Sequence, residues 1–179
     1  QKRALDGVRV ILTRPKELIS RMSKSLSELG AEVIELPSID LVPCEQNEPL
    51  KAALEDIVSY QWVAFTSAMG VRFFFDFLQK NRVDIRRLSH LRFAVIGQGT
   101  RDELAKHGIF ADLMPSSYYA KDLAQALCQT MQKGQRVLLP RARIGSKDLT
   151  DILTQNGIEF TDVALYDTIY QSHNTHAVE

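Results

Sequence analysis

Short apolar runs alternate with stretches in which apolar residues recur at helical spacing along nearly the whole chain. Val8 to Leu12 (VRVIL) predicts a buried strand. Pro15 then opens a helix whose Leu18, Met22, Leu26 and Leu29 form one stripe until Gly30 stops it. Val33 to Leu36 is a second strand, ended by Pro37. Leu50 to Val58 reads as a helix, Trp62 to Phe65 as a strand and Gly70 to Leu78 as an aromatic-rich helix. Leu91 to Ile96 is the next strand, after which Gly97-Gln98-Gly99-Thr100 opens a helix through Leu104, stopped by Gly108. A short Phe110 to Leu113 strand, a helix over Ala120 to Met131 and a strand over Val137 to Leu139 follow. A helix near Asp148 to Leu153, stopped by Gly157, and a strand over Phe160 to Leu165 complete the pattern. Strands and helices alternating with short connections imply a parallel sheet covered on both faces. The predicted class is α/β, doubly wound.

One internal repeat stands out. A shift of 127 positions aligns residues 9–33 with 136–160 without gaps, matching Arg9/Arg136, Leu12/Leu139, Arg14/Arg141, Gly30/Gly157 and Glu32/Glu159. Any two strand–helix–strand units share leucines and a stop glycine. An arginine just past each strand is more informative, because open parallel sheets bind ligands beyond the carboxyl ends of their strands. The repeat therefore points to a two-lobed protein with an anionic ligand.

Composition narrows this picture. With 45% hydrophobic and 25% charged residues in 179, the chain is ordinary globular protein, not a disordered tail or a disulfide-built miniprotein. Its 22 basic and 22 acidic residues cancel, so it carries no overall charge suited to nucleic acid or an anionic membrane. Cys44 and Cys128 lie far apart, as free thiols in a reducing compartment do. No apolar run reaches the ~20 residues of a membrane span, and the charged start is not a signal peptide. A cytoplasmic location is expected. Because the chain opens on Gln1, it is expected to have been cut from something longer.

Four predicted strand ends carry small or polar residues and then a helix: Thr13-Arg14-Pro15, Thr66-Ser67-Ala68, Gly97-Gln98-Gly99-Thr100 and Pro140-Arg141-Ala142-Arg143. Helix N-termini present unpaired N–H groups and partial positive charge, which suits carboxylates or phosphates. The plainer reading is that Thr66, Ser67 and Thr100 cap their helices. Gly97 and Gly99 give only GxG, with Asp102 where a dinucleotide fingerprint needs its third glycine. Neither a P-loop nor GxSxG occurs, and the acidic pair of a receiver domain is missing. His90 opens a strand, His107 suits a helix C-terminus, and His173 and His176 lie in a polar tail unsuited to a metal. The pattern advertises binding, not nucleophilic or metal chemistry.

VILTRP, WVAFTSAMGVRFF, FAVIGQGTRDELAKHGI, DLMPSSYYAKDLAQAL, VLLPRARIGSKDLTDILTQNGIEF and VALYDT occur in an order that resembles the uroporphyrinogen-III synthase family over residues 8–170. The resemblance implies a cofactor-free lyase of haem, sirohaem and cobalamin biosynthesis. Such an enzyme cyclises the linear tetrapyrrole hydroxymethylbilane with inversion of ring D and loss of water. It also implies two α/β lobes. Residues 1–39 would begin a discontinuous first lobe, 40–165 would form a complete second lobe, and 166–179 would be the returning linker, with the rest of lobe one absent. By resemblance, Thr66, Ser67, Ala68, Gly97 and Thr100 hold substrate carboxylates, with Arg14, Arg141 and Arg143 as cationic partners and Tyr166 assisting hydroxyl loss. The missing part of lobe one makes the isolated chain an expected inactive fragment, with the first helix's stripe covered by a dimer or swapped contact. The start, KRALDGVRV, also resembles the linker behind a fused uroporphyrinogen-III methyltransferase. A non-catalytic α/β module that binds a polycarboxylate or a partner protein is the alternative; it would bind hydroxymethylbilane without forming the type III ring.

Overall fold

The computed structural model describes residues 3–14 and 16–170. Gln171, His173, His176 and the side chain of Leu18 fall outside the described residues. The chain runs β1 (Arg9–Leu12), α1 (Lys16–Glu28), β2 (Glu32–Glu35), β3 (Ile39–Pro43), α2 (Glu48–Glu55), β4 (Trp62–Phe65), α3 (Ala68–Lys80), β5 (Arg92–Val95), α4 (Gln98–Ala105), α5 (Ala120–Thr130), β6 (Arg136–Ala142), α6 (Lys147–Gln155) and β7 (Glu159–Tyr170). Its class is α/β, and the described residues fall into two compact units: those up to Val42 with Thr168–Tyr170, and Pro43–Asp167.

In the first unit β1 and β2 pair in parallel, with Arg9 opposite Glu32. The helix between them does not present the whole expected stripe to the protein. Among its described side chains Ile19 is buried and Leu26 half-buried, while Met22, and Leu29 just past its end, are exposed. The covered face is thus turned by about one position, because Ile19 and Leu26 lie one above the other at helical spacing.

The second unit contains most of a five-stranded sheet in the order β3-β7-β6-β4-β5, with β4 parallel to β5 and β6, and β6 parallel to β7. All four residues of β4 are buried, as a strand covered on both faces must be. Trp62 and Ala64 face Leu123 and Leu127 of α5 and Leu149 and Leu153 of α6. Strand alternation turns Val63 and Phe65 the other way, where Phe65 meets Phe74 of α3 edge-on at 5.3 Å and stacks on Phe93 at 6.5 Å. No helix among the described residues is long and apolar enough to cross a membrane.

The repeat is structural as well as sequential. Arg136 stands opposite Glu159 as Arg9 stands opposite Glu32, and Gly30 and Gly157 both take positive φ, at 100° and 67°. Even the cross-strand ion pair recurs, at 2.9 Å in the first copy and 3.8 Å in the second.

One expectation gives way here. Phe110 to Leu113 is no strand: it makes one bridge, Leu113 to Ala94, and Phe110 is exposed. Asp112 turns the chain there, its carboxylate accepting from the Phe93 N–H at 2.7 Å while its own N–H donates to the Phe93 carbonyl. His107 lies just past the end of α4, as expected, and its ring stacks on Phe75 with centroids 4.1 Å apart.

Helices α3 and α4 are joined by a buried carboxylate. Glu103 lies 2.9 Å from the Arg72 Nε and 2.7 Å from the Lys106 Nζ. Burial raises its pKa, but hydrogen bonds from Arg72 and Lys106 outweigh that and hold the carboxyl below the usual range. A carboxyl held low stabilises the fold above its ordinary pKa of about 4.3, and that stabilisation fades as pH falls through the lowered value. We expect Glu103→Gln to cost about 1–2 kcal/mol near neutrality, after allowance for the half-exposed Arg72. In thermal melts from pH 7 to 3 the gap between wild type and variant should shrink toward acid; a gap that widens would contradict this.

Candidate functional site

The site is built where β4, β6 and β7 reach their carboxyl ends in the second unit. Ser67 caps α3: its backbone is extended (φ −154°, ψ 155°) and its Oγ accepts from the Gly70 N–H at 3.0 Å. Gly70 lets α3 come this close. A Cβ there would lie 3.3 Å from the Ser67 Oγ and 3.4 Å from the Pro140 carbonyl oxygen.

Tyr166 arrives through a β-bulge. Register along β6 and β7 is regular up to Arg141 opposite Ala164, then Ala142 stands opposite Tyr166, leaving Leu165 as the extra residue. Leu165 and Tyr166 are therefore both buried in succession, where a regular strand would alternate. Bulges re-aim side chains in this way. The Tyr166 hydroxyl lies 3.2 Å from the Ser67 Oγ, and its ring packs on Phe73 at 4.8 Å. Only 6% of the residue is exposed, and its hydroxyl's partner Ser67 is half-buried. The strand does not end at Leu165, as the apolar run implied; β7 continues to Tyr170.

The other candidate residues take distinct places. Thr66 and Ala68 flank Ser67, both half-buried, with Ala68 the first residue of α3. Gly97 is the N-cap of α4 with φ +76°, and no side chain caps this helix. The cap expected from Thr100 is therefore not made: Thr100 is buried on the inner side of α4. Arg14, in the first unit, is exposed. Arg141 departs from its expected role. It is 6% exposed, its Nε and Nη2 grip both Asp162 oxygens at 2.9 and 2.8 Å, and its Nη1 donates to the Ser146 carbonyl at 2.8 Å. Its guanidinium is spent inside the protein, with the loop backbone at Gly145 pressed against it.

Arg143 stays at the surface beside Tyr166. Its N–H donates to the Tyr166 carbonyl at 2.9 Å, and its side chain reaches Asp167 at 2.6 Å and the Cys44 sulfur at 3.3 Å. The Asp167 carboxylate raises the guanidinium pKa further. Cys44, Asp162, Asp167 and Phe73 are not among the sequence candidates. The two aspartates interrupting the apolar run of β7 are the available signal, but their partners depend on strand register. Among the described residues no group of three His, Cys, Asp or Glu side chains could hold a metal ion.

An open, doubly wound α/β sheet that gathers a capped helix start, a phenol and an arginine at its carboxyl edge is the architecture of a protein that binds its ligand beyond the strand ends. The sequence signature described as "Uroporphyrinogen-III synthase HemD" matches residues 20–179. This chain belongs to the uroporphyrinogen-III synthase family. It is 35% identical over 178 residues to the porphyrin biosynthesis protein HemD of Ruminiclostridium josui, covering 99% of this chain and 35% of that protein. It is 30% identical to the uroporphyrinogen-III synthase of Synechococcus elongatus over 168 residues, 92% of this chain and 62% of the relative. A solved uroporphyrinogen III synthase of Thermus thermophilus superposes with a TM-score of 0.63 at 14% identity, over 92% of this chain and 64% of that one. That of Helicobacter pylori gives 0.55 at 16% identity, over 80% and 59%. The chain thus spans less than two thirds of these proteins' lengths.

Proposed function

We propose that the chain is part of a uroporphyrinogen-III synthase that cyclises hydroxymethylbilane, in the cytoplasm, with inversion of ring D and loss of water. The contact between Ser67 and Tyr166 at the sheet's carboxyl edge, in a member of this family, carries the reading. The reaction needs a flexible polycarboxylate folded so that the less accessible carbon attacks, and positioning of that kind supplies most of the rate. Backbone N–H groups at the starts of α3 and α4, with Thr66, Ser67, Ala68 and Gly97, would hold side-chain carboxylates. Exposed Arg143 would offer a cation. Arg141 contributes indirectly, by fixing the loop after β6. Tyr166 would donate its phenolic proton to the departing hydroxyl, approached through Ser67.

The test is turnover of hydroxymethylbilane by the protein, with the product isomer resolved. Excess type III ring over the spontaneous type I ring is expected. Binding without type III product would favour a non-catalytic module instead.

A further inference from the structure

By sequence Gly97 belongs to a GxG loop too incomplete for a dinucleotide, and the chemistry above uses little more than its backbone. The structure gives this glycine a more specific task. A Cβ on Gly97 would fall 3.0 Å from Cδ1 and 3.1 Å from Cε1 of Tyr118, while Gly99 two residues on has open space around it. The φ of +76° already favours glycine here, and the missing Cβ also leaves room for one aromatic ring at the head of α4.

That ring is nevertheless 74% exposed, so burial does not explain its placement. The loop holds it from both sides. Ser117 donates its hydroxyl to the Asp122 carboxylate, and the Asp122 N–H donates to the Tyr119 carbonyl at 3.1 Å. Lys121 brings a cation to the neighbouring Tyr119 ring at 5.4 Å. A scattered exposed aromatic needs no explanation, but one held in a backbone notch with its surface in solvent is preorganised for a flat partner.

Its address matters. Phe65 of β4 stands opposite Val95 of β5, so Ser67 and Gly97, each two residues past that pair, crown adjacent strands. Adjacent strands lie about 4.8 Å apart. Tyr118 therefore flanks the same carboxyl edge as Ser67 and Tyr166.

We propose that Tyr118 is a substrate-positioning residue: its ring, seated on Gly97, stacks against a pyrrole ring whose carboxylate arms reach the start of α4. This rests on the synthase reading above. The ligand class is an electron-rich heteroaromatic bearing carboxylates, which a tyrosine face and a helix N-terminus recognise together.

Uroporphyrin III, a stable tetrapyrrole polycarboxylate, is titrated by absorbance into the full chain and its variants. Tyr118→Ala should weaken binding about tenfold, as loss of one aromatic stack does, with the melting temperature unchanged, while Tyr118→Phe binds like wild type. Equal binding by wild type and Tyr118→Ala would overturn the inference and leave the synthase reading standing. A melting temperature that falls with affinity, or a Tyr118→Phe as weak as Tyr118→Ala, would also overturn it. No binding by wild type would remove the carboxyl-edge reading and this inference with it.

Discussion

Tyr166→Phe is expected to lower turnover about a hundredfold, the lower range for a positioned acid, with substrate affinity and fold nearly unchanged. The change removes one oxygen. The ring keeps its packing on Phe73, and Ser67 keeps its capping bond to the Gly70 N–H. Only the hydrogen bond between the two hydroxyls is lost from the resting protein. A group that helps mainly in the transition state shows itself as a fall in kcat with KM little moved. Steady-state rates with the type III product resolved provide the measurement. Undiminished kcat would reduce Tyr166 to a buried aromatic with a satisfied hydroxyl. A melting temperature depressed along with kcat would point to the same structural role.

Asp162→Ala should cost about 2–3 kcal/mol, somewhat below the usual toll for breaking a buried pair because Asp162 itself is partly exposed. The penalty comes from the partner. The guanidinium of Arg141 would stay buried with only the Ser146 carbonyl to accept from it. Changing Arg141 to methionine in the same chain should restore much of the loss, since the charge that needed compensation is gone. Urea midpoints of the single and double variants measure both effects. If Asp162→Ala were neutral, Arg141 would have to be mobile enough to find water, and its substrate-facing role would be open again.

The parts of this molecule most legible in the sequence are those whose pattern is local. Trp62 to Phe65 and Phe93 to Val95 are buried on both faces, so uninterrupted apolar runs mark β4 and β5 directly. Ser67 is legible as a cap because a hydroxyl before a helix seldom does anything else. In contrast, β6 and β7 extend further than their apolar runs. Arg141 looks like the end of one strand and Asp162 like an interruption in another until register places them together across the sheet. The bulge at Leu165 has no sequence signature, yet it decides where Tyr166 points. In α1, two adjoining faces both carry apolar residues, and periodicity alone does not choose Ile19 over Met22. Tyr118 escapes a sequence reading for a similar reason: its meaning lies in a notch at Gly97, far along the chain.

The twice-used pairing of Arg9 with Glu32 and Arg136 with Glu159 also bears on how the chain folds. Each partner is 23 residues away, whereas joining β4 to β6 brings Trp62 to Val137 across 75. Closing the longer loop costs about 1 kcal/mol more in chain entropy. The two strand–helix–strand modules are therefore the nuclei that local contacts reach first, and the insertion of β4 beside β6 comes late. A destabilising change at the β4–β6 seam should slow refolding less than it speeds unfolding, because that seam closes after the rate-limiting ensemble has committed its local pairs.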